Sequence, residues 1–244
     1  MSSILRIATY NIHKGVQGLG PARRLEIHNL AHAVEQFDAD IVCLQEVRRH
    51  HRKFEKQFTR WPNLDQAGYL SPEGYESVYR TNATTRHGEH GNALLSRWPV
   101  VDIRHSDVSD HRFEQRGLLH VNLLIDGVEV HVIVVHLGLM HAGRERQVRR
   151  LGEYIATAVP SQVPMVVAGD FNDWGAQLLR PMAALDLHTF EGIRLATYPS
   201  RLPLLHLDRI FVRGLRLVSA HVPHGRVWAR MSDHLPLIAE IELQ

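Results

Sequence analysis

The sequence predicts an α/β protein in which two mixed β-sheets pack face to face with helices outside. Three observations predict it. Apolar runs of strand length recur along all 244 residues. Segments with apolar residues at helical spacing separate some of those runs. Between residues 117 and 138, Asp126-Gly127 interrupts a long apolar stretch as a hairpin turn would, so at least one sheet is not purely parallel.

Each element has its own signal. Residues 4–12 read as a strand, with Leu5, Ile7 and Thr9 on one face. Pro21 opens a helical pattern that places Ile27, Leu30, Ala31, Val34 and Phe37 on one side. "DIVCLQEV" (40–47) is a buried strand, and "GNALLSRWPV" (91–100) is another, ended by Pro99. The hairpin 117–138 follows. Residues 144–159 predict a helix with Val148, Leu151, Ile155 and Val159 inward. "VPMVVAGDFND" (163–173), "HLDRIFV" (206–212) and "LPLIAEIEL" (235–243) complete the strands. The two halves echo each other: apolar strand, helix, then a strand ending in an acid.

Composition narrows the class. The apolar fraction is 44 %, enough for a full-sized core. No run approaches the roughly 18 apolar residues of a membrane span, so stable membrane insertion is not expected. The N-terminus lacks the pattern of a secretory signal. The single cysteine, Cys43, lies in an apolar run as a core residue. These features make the cytoplasm the expected compartment and a monomer the expected state. Net charge is only +2, so no global field for nucleic acid arises. Basic residues cluster at 48–60, with six Lys or Arg against one Glu, and at 143–150, with four Arg against one Glu. Either cluster serves as a solvated helix face or as a phosphate-attracting rim. Phe54, Phe58 and Trp61 at helical spacing keep a lipid-surface contact open for the first.

Polar groups stand where core strands end. Asn11 follows the first strand, and Glu46 closes "IVCLQE". His136 closes "VIVVH", while Asp170 and Asn172 follow "MVVAG". Asp208 sits inside "LDRIFV", and Asp233-His234 precede the last strand. Each has an ordinary structural role open to it: a turn cap, a partner for a buried Arg, a satisfied core histidine. Sheets gather strand ends along one edge, so together they point to a shared cleft. Asn11, Glu46 and Asp233 offer hard oxygen ligands, and no CxxC or HExxH pattern competes. Such donors suit Mg²⁺ or Mn²⁺, which keep positions for a substrate phosphate. Asp170 and Asn172 lie two residues apart on an extended chain and so point to one side. Metal, water and substrate would be the partners that make Asp170 tolerable there.

"TYNIHKG", "VCLQEV", "GNALLSR", "VVHLG", "AGDFND", "LDRIFV" and "SDHLPL" occur here in one order. In that order they resemble the endonuclease/exonuclease/phosphatase superfamily, and most closely one of its largely uncharacterised bacterial subgroups. The resemblance runs from about residue 5 to 242, which makes residues 1–244 one domain. It implies a four-layer α/β sandwich and divalent-metal-dependent cleavage of a phosphate ester. Glu46 resembles the main metal carboxylate, with Asn11 and Asp233 in the same shell. His234 resembles the histidine that faces the scissile phosphate, and Asp208 its orienting carboxylate. Asp170 and Asn172 resemble the pair that handles water or the leaving group, without a division between them. His136 resembles the second histidine of deoxyribonuclease-type and lipid-phosphodiesterase-type members. Lys14, His13 and Asn92 are candidate phosphate contacts. Arg144, Arg146 and Gln147 either line the mouth or form a plain exposed helix start.

Departures narrow the substrate. Abasic-site endonucleases follow the metal Glu with Thr-Lys, whereas Val47 and Arg48 follow here, and Arg209 replaces their Tyr after the orienting Asp. They also lack a counterpart of His136. These differences favour a Mg²⁺-dependent phosphodiesterase or phosphatase acting on nucleic acid, a phospholipid head group or a small metabolite. The alternative is a non-catalytic phosphate-ligand-binding protein that retains the fold.

Overall fold

The computed structural model describes residues 3–243. The first half of the chain runs β1 (Ser3–Asn11), a two-stranded ribbon of β2 (Val16–Gln17) and β3 (Arg24–Leu25), α1 (Ile27–Phe37) and β4 (Ile41–Val47). Two short helices follow, α2 (Arg52–Gln57) and α3 (Gln66–Leu70), and then strands β5 (Glu76–Thr85) and β6 (Gly88–Ser96). The second half opens with β7 (Val100–Asp107), β8 (Gly117–Ile125), β9 (Val128–His136), α4 (His141–Ala158) and β10 (Met165–Asp170). It closes with α5 (Leu179–Ala183), β11 (Asp208–Arg213), β12 (Leu215–His221), α6 (Trp228–Met231) and β13 (Leu237–Leu243).

The strands form a six-stranded sheet in the order β12-β13-β1-β4-β6-β5 and a five-stranded sheet in the order β11-β10-β9-β8-β7. Alternation along each strand builds the layers. Leu5 and Ile7 of β1 join Ile41 and Cys43 of β4 in a core between the sheets, where Val132 and Val134 of β9 meet them. Ala8 and Tyr10 turn outward beneath α1, against Leu30, Val34 and Phe37. On the other sheet, Ile133, Val135 and Val167 turn outward beneath α4, against Val148, Leu151 and Ile155. Three apolar interfaces thus separate four layers. Strands buried on both faces read as near-continuous apolar runs, which is why they were visible in the sequence.

β5, β7 and β12 have no counterpart among the strands that the sequence predicts. All three are edge strands. With one face against the core or less, they alternate weakly and carry mostly exposed or half-buried residues. The stretch 91–100 divides: β6 ends at Ser96 and β7 begins at Val100, across the turn at Pro99. The predicted helix 144–159 starts three residues early, at His141.

Two crossovers position the site. β1 and β4 are parallel and joined through α1; β9 and β10 are parallel and joined through α4. A parallel pair with a helical crossover must end both strands on the same edge. Antiparallel β13 and β11 start on that edge beside β1 and β10. Strand ends from both sheets therefore converge, and the echo between the halves is this repeated strand–helix–strand unit.

Candidate active site

One rung of the second sheet holds three of the expected residues: His136 pairs with Asp170, and Asp170 with Asp208. The first sheet delivers Asn11 at the end of β1. Glu46 arrives by a local distortion. The pairing of β4 with β6 shifts between Leu44 and Val47, and Glu46 takes a left-handed φ of 58°. This bulge removes its carboxylate from regular alternation and aims it into the cleft. Asn172 is likewise left-handed, at 49°. Such conformations cost energy and persist only where surroundings enforce them.

The cleft encloses about 190 Å³. Asp170 lies at its centre. Its Oδ1 accepts the Asn172 backbone N–H at 2.9 Å, and its Oδ2 accepts Asn11 Nδ2 at 3.0 Å. His136 Nε2 and His234 Nε2 approach the same Oδ2 at 3.5 and 3.7 Å. His234 turns its other nitrogen to Asp208, with Nδ1 2.8 Å from Oδ2. That oxygen also accepts the Thr197 hydroxyl at 2.5 Å. A carboxylate only accepts, so Nδ1 carries a proton and Nε2 faces the cleft. Asn172 donates its side-chain amide to the Leu137 carbonyl at 2.9 Å, which leaves its Oδ1 free.

The electrostatics divide the cleft in two. Burial opposes charge on His234, but Asp208 and Asp170 outweigh it and lift the imidazole well above its ordinary value. Burial pushes the Asp170 carboxyl up, and Asp208 adds to this against the pull of His234. On the other side, burial works to raise Glu46, yet Lys14, His136 and His13 hold it far below the usual carboxylate range. Burial and Arg116 push His136 well below its ordinary value. The arrangement presents an imidazolium-type donor beside Asp170 and an anionic oxygen set beside Glu46.

The oxygen set fits a hard divalent cation. Glu46 Oε2 is buried, and Lys14 Nζ stands 2.8 Å away as its counter-charge. Asp233 Oδ1 pairs with His13 Nδ1 at 3.1 Å, and Asn11 Oδ1 accepts the His13 N–H. Glu46, Asn11 and Asp233 all line the cleft. Ligand atoms of Asp170, Asp208 and His234 also lie within 4.8 Å of one another. There, however, His234 Nδ1 and Asp208 Oδ2 are already engaged with each other.

Of the expected residues, Asn11, His13, Glu46, His136, Asp170, Asn172, Asp233 and His234 line one cleft, with Asp208 directly behind His234 and Lys14 against Glu46. Asn92 is not among them. It is fully buried in β6, and its Nδ2 donates to the Gly117 and Val134 carbonyls, which ties the two sheets together. Arg144 and Gln147 do not reach the mouth either. Arg144 is buried and donates to the Gly138 and Leu139 carbonyls, while Gln147 accepts the Gly138 N–H. Both hold the loop that follows His136. Arg146 is spent on Asp110. The aromatic residues of 48–61 are also used internally: Phe54 is buried, Arg48 lies over its ring, and Phe58 stacks on Trp61. Phe58 and Trp61 remain half-buried.

Sequence reasoning missed Arg116, Leu139, Trp174, Tyr198 and Leu207, which also line the cleft. Arg116 directly precedes β8, whose start must lie beside the end of antiparallel β9. That pairing was the available signal. Tyr198 packs against His234 with ring centroids 4.9 Å apart and carried no signal at all.

The four-layer sandwich with this cluster of acids and histidines at its strand ends is the architecture that the comparison with known proteins also finds. The chain belongs to the Endonuclease/Exonuclease/phosphatase family, whose sequence pattern matches residues 8–234. It is 38 % identical over 249 residues to the uncharacterized protein YbhP of Escherichia coli K12, covering 98 % of this chain and 96 % of that one. Among solved structures it shares the fold of a Bacteroides thetaiotaomicron mannosyl-6-phosphatase, at TM-score 0.74 and 19 % identity over 97 % of this chain and 99 % of that one. It also shares the fold of D. rerio TDP2 complexed with a single-strand DNA product, at TM-score 0.68 and 16 % identity over 98 % and 99 %. Among the described residues no helix is long and apolar enough to cross a membrane.

Proposed function

We propose that the protein hydrolyses a phosphate ester, preferably a phosphodiester, with Mg²⁺ or Mn²⁺ bound. The observation that carries this reading is the Asp208–His234 pair at 2.8 Å, with Asp170 and the Glu46 oxygen set in the same cleft. The family includes both a phosphatase and a protein bound to a DNA product, so the fold supports phosphoester chemistry of either kind.

Asp170 Oδ2 holds the attacking water and takes its proton, helped by the free Oδ1 of Asn172. Its orientation is fixed by Asn11 and by the Asn172 backbone, so no reorganisation is needed at the moment of reaction. His234 donates from Nε2 to a phosphoryl oxygen, and Asp208 holds the ring and its tautomer. His136 and Arg116 offer further donors to the same phosphoryl group. Glu46, with Asn11 and Asp233, would hold a divalent cation, which when bound neutralises charge on the phosphoryl oxygens. Lys14 and His13 balance the anionic set and reach toward a substrate phosphate.

Purified protein is assayed with Mg²⁺ or Mn²⁺ against bis(p-nitrophenyl) phosphate, p-nitrophenyl phosphate, plasmid DNA and phospholipid vesicles. Metal-dependent turnover of at least one, abolished in Glu46→Ala and His234→Ala, is the expected result. Phosphate binding without turnover of any of the four would instead make it a binding protein. Undiminished turnover in both variants would refute the site.

A further inference from the structure

Beyond Trp174 lies a second cavity, of about 650 Å³, and Trp174 lines both it and the cleft. Arg209 of β11 forms part of its wall. Alternation explains the direction. Asp208 stands behind His234 and Ile210 joins the core between the sheets, whereas Phe211 faces the outer layer, and Arg209 shares that outer side.

Arg209 is only 8 % exposed, and among the described residues no hydrogen bond or ion pair holds its guanidinium. Its Nε is buried without a partner. Asp173, the acid whose charge acts on it, is occupied: its two oxygens accept the backbone N–H groups of Gln177 and Leu178, each at 3.0 Å. Burial lowers the Arg209 pKa, and Asp173 only partly offsets this. A buried Nε–H with no acceptor weakens the fold, so stability does not explain it. An apolar side chain of the same length would pack there at less cost. The cavity around it is amphiphilic: its basic groups are Arg209 and His206, and its acids are Asp173 and the exposed Glu191. Phe190, Ile193, Leu204 and Leu205 supply apolar wall, and Trp174, Ile193 and Leu204 remain exposed.

We propose that this cavity is a subsite for a second anionic group of the substrate, a carboxylate or phosphate. An apolar or aromatic body would carry that group past Trp174 from the scissile phosphate. The inference rests on the phosphoesterase reading and narrows its substrate class to amphiphilic phosphoesters with two anionic centres. Arg209 recognises the distal anion through its fork of N–H donors, and Trp174 covers the connecting body.

Two measurements on the full chain with Mn²⁺ test it. The first is calorimetric binding of 3-phenylpropionate against neutral 3-phenylpropanol. Wild type is expected to prefer the carboxylate by about tenfold. Arg209→Met should bring that ratio to about one, and Arg209→Lys should retain part of it. Ile193→Asp, at an exposed wall position that does not threaten folding, should abolish carboxylate binding. The second is hydrolysis of a p-nitrophenyl phosphodiester whose other arm ends in a carboxylate, a phosphate or a carboxamide. KM should be lower for both anionic arms in wild type and equal for all three in Arg209→Met; the arm with the lower KM identifies the natural anion. No preference in wild type, a preference that survives Arg209→Met, or binding indifferent to Ile193→Asp would each overturn the subsite. Failure of the phosphoesterase reading looks different: no phosphodiester is cleaved, while the calorimetric preference still stands or falls by itself.

Discussion

Replacing Asp208 by Asn tests the core of the mechanism with a change of one atom. The carboxylate is buried, accepts the His234 Nδ1 proton at 2.8 Å and accepts the Thr197 hydroxyl at 2.5 Å. At that separation two unit charges attract by about 6 kcal/mol at an effective dielectric of roughly 20. Most of this offsets the desolvation of the pair, and a hydrogen bond to a charged group nets about 1.5–3 kcal/mol. Asn keeps the shape and an accepting oxygen but removes the charge that holds the imidazole as a donor toward the cleft. A loss of about 2–3 kcal/mol at the transition state is about 30- to 160-fold in kcat. KM should stay within about threefold, because Asp208 touches His234 and not the substrate. Steady-state rates on bis(p-nitrophenyl) phosphate with Mn²⁺ give both constants. In NMR, the His234 Nδ1 proton resonance expected for wild type should shift upfield or vanish in the variant. A kcat within threefold of wild type, with that resonance unmoved, would refute the role assigned to the pair.

Other outcomes follow from the same geometry. Glu46→Gln should weaken Mn²⁺ binding by at least about tenfold in calorimetry, since the strongest anionic oxygen is lost; unchanged affinity would move the metal site elsewhere. Gly169→Ala should cost more than about 3 kcal/mol in urea unfolding or prevent folding, because strain and overpacking add. Gly169 has a φ of 150°, and an added Cβ would lie 1.9 Å from the Val135 carbonyl oxygen in the adjacent strand. Acid should destabilise the fold through His120, which bonds the His131 ring at 2.8 Å and the Tyr154 hydroxyl at 2.9 Å. Burial, then His131 and Arg104, lower its pKa to about 4. The unfolded chain therefore binds more protons between that value and the ordinary 6.5, and the stability His120 contributes is present above 6.5 and lost as pH falls toward 4. Melting temperature followed from pH 7 to 4 should fall less steeply in His120→Gln than in wild type.

The legible part of the fold was the part buried on both sides. β1, β4, β8, β9, β10 and β13 are nearly continuous apolar runs because each faces a core on both surfaces. The edge strands β5, β7 and β12 were silent because solvent tolerates polar residues along them. The site followed the same division. Asn11, Glu46, His136 and Asp170 stood out as polar groups closing apolar runs, where an ordinary core would not place them. Asn92 closed no run and was mistaken for a substrate contact, although its amide bonds two carbonyls inside the sandwich. Trp174 and Tyr198 reach the cleft from loops, and loop residues carry no periodicity to read.

By itself, then, the sequence determined the doubly buried strands, the crossovers that align their ends, and the identities of the polar groups carried there. Alternation and burial are local properties, written into each run of residues. Only the tertiary structure decided that Glu46 leaves its strand's alternation at a bulge, that Asp170 sits between two histidines, and that Arg209 is buried beside a cavity with its Nε unpartnered among the described residues. Those facts depend on distances between segments far apart in the chain, which are set by how the two sheets pack.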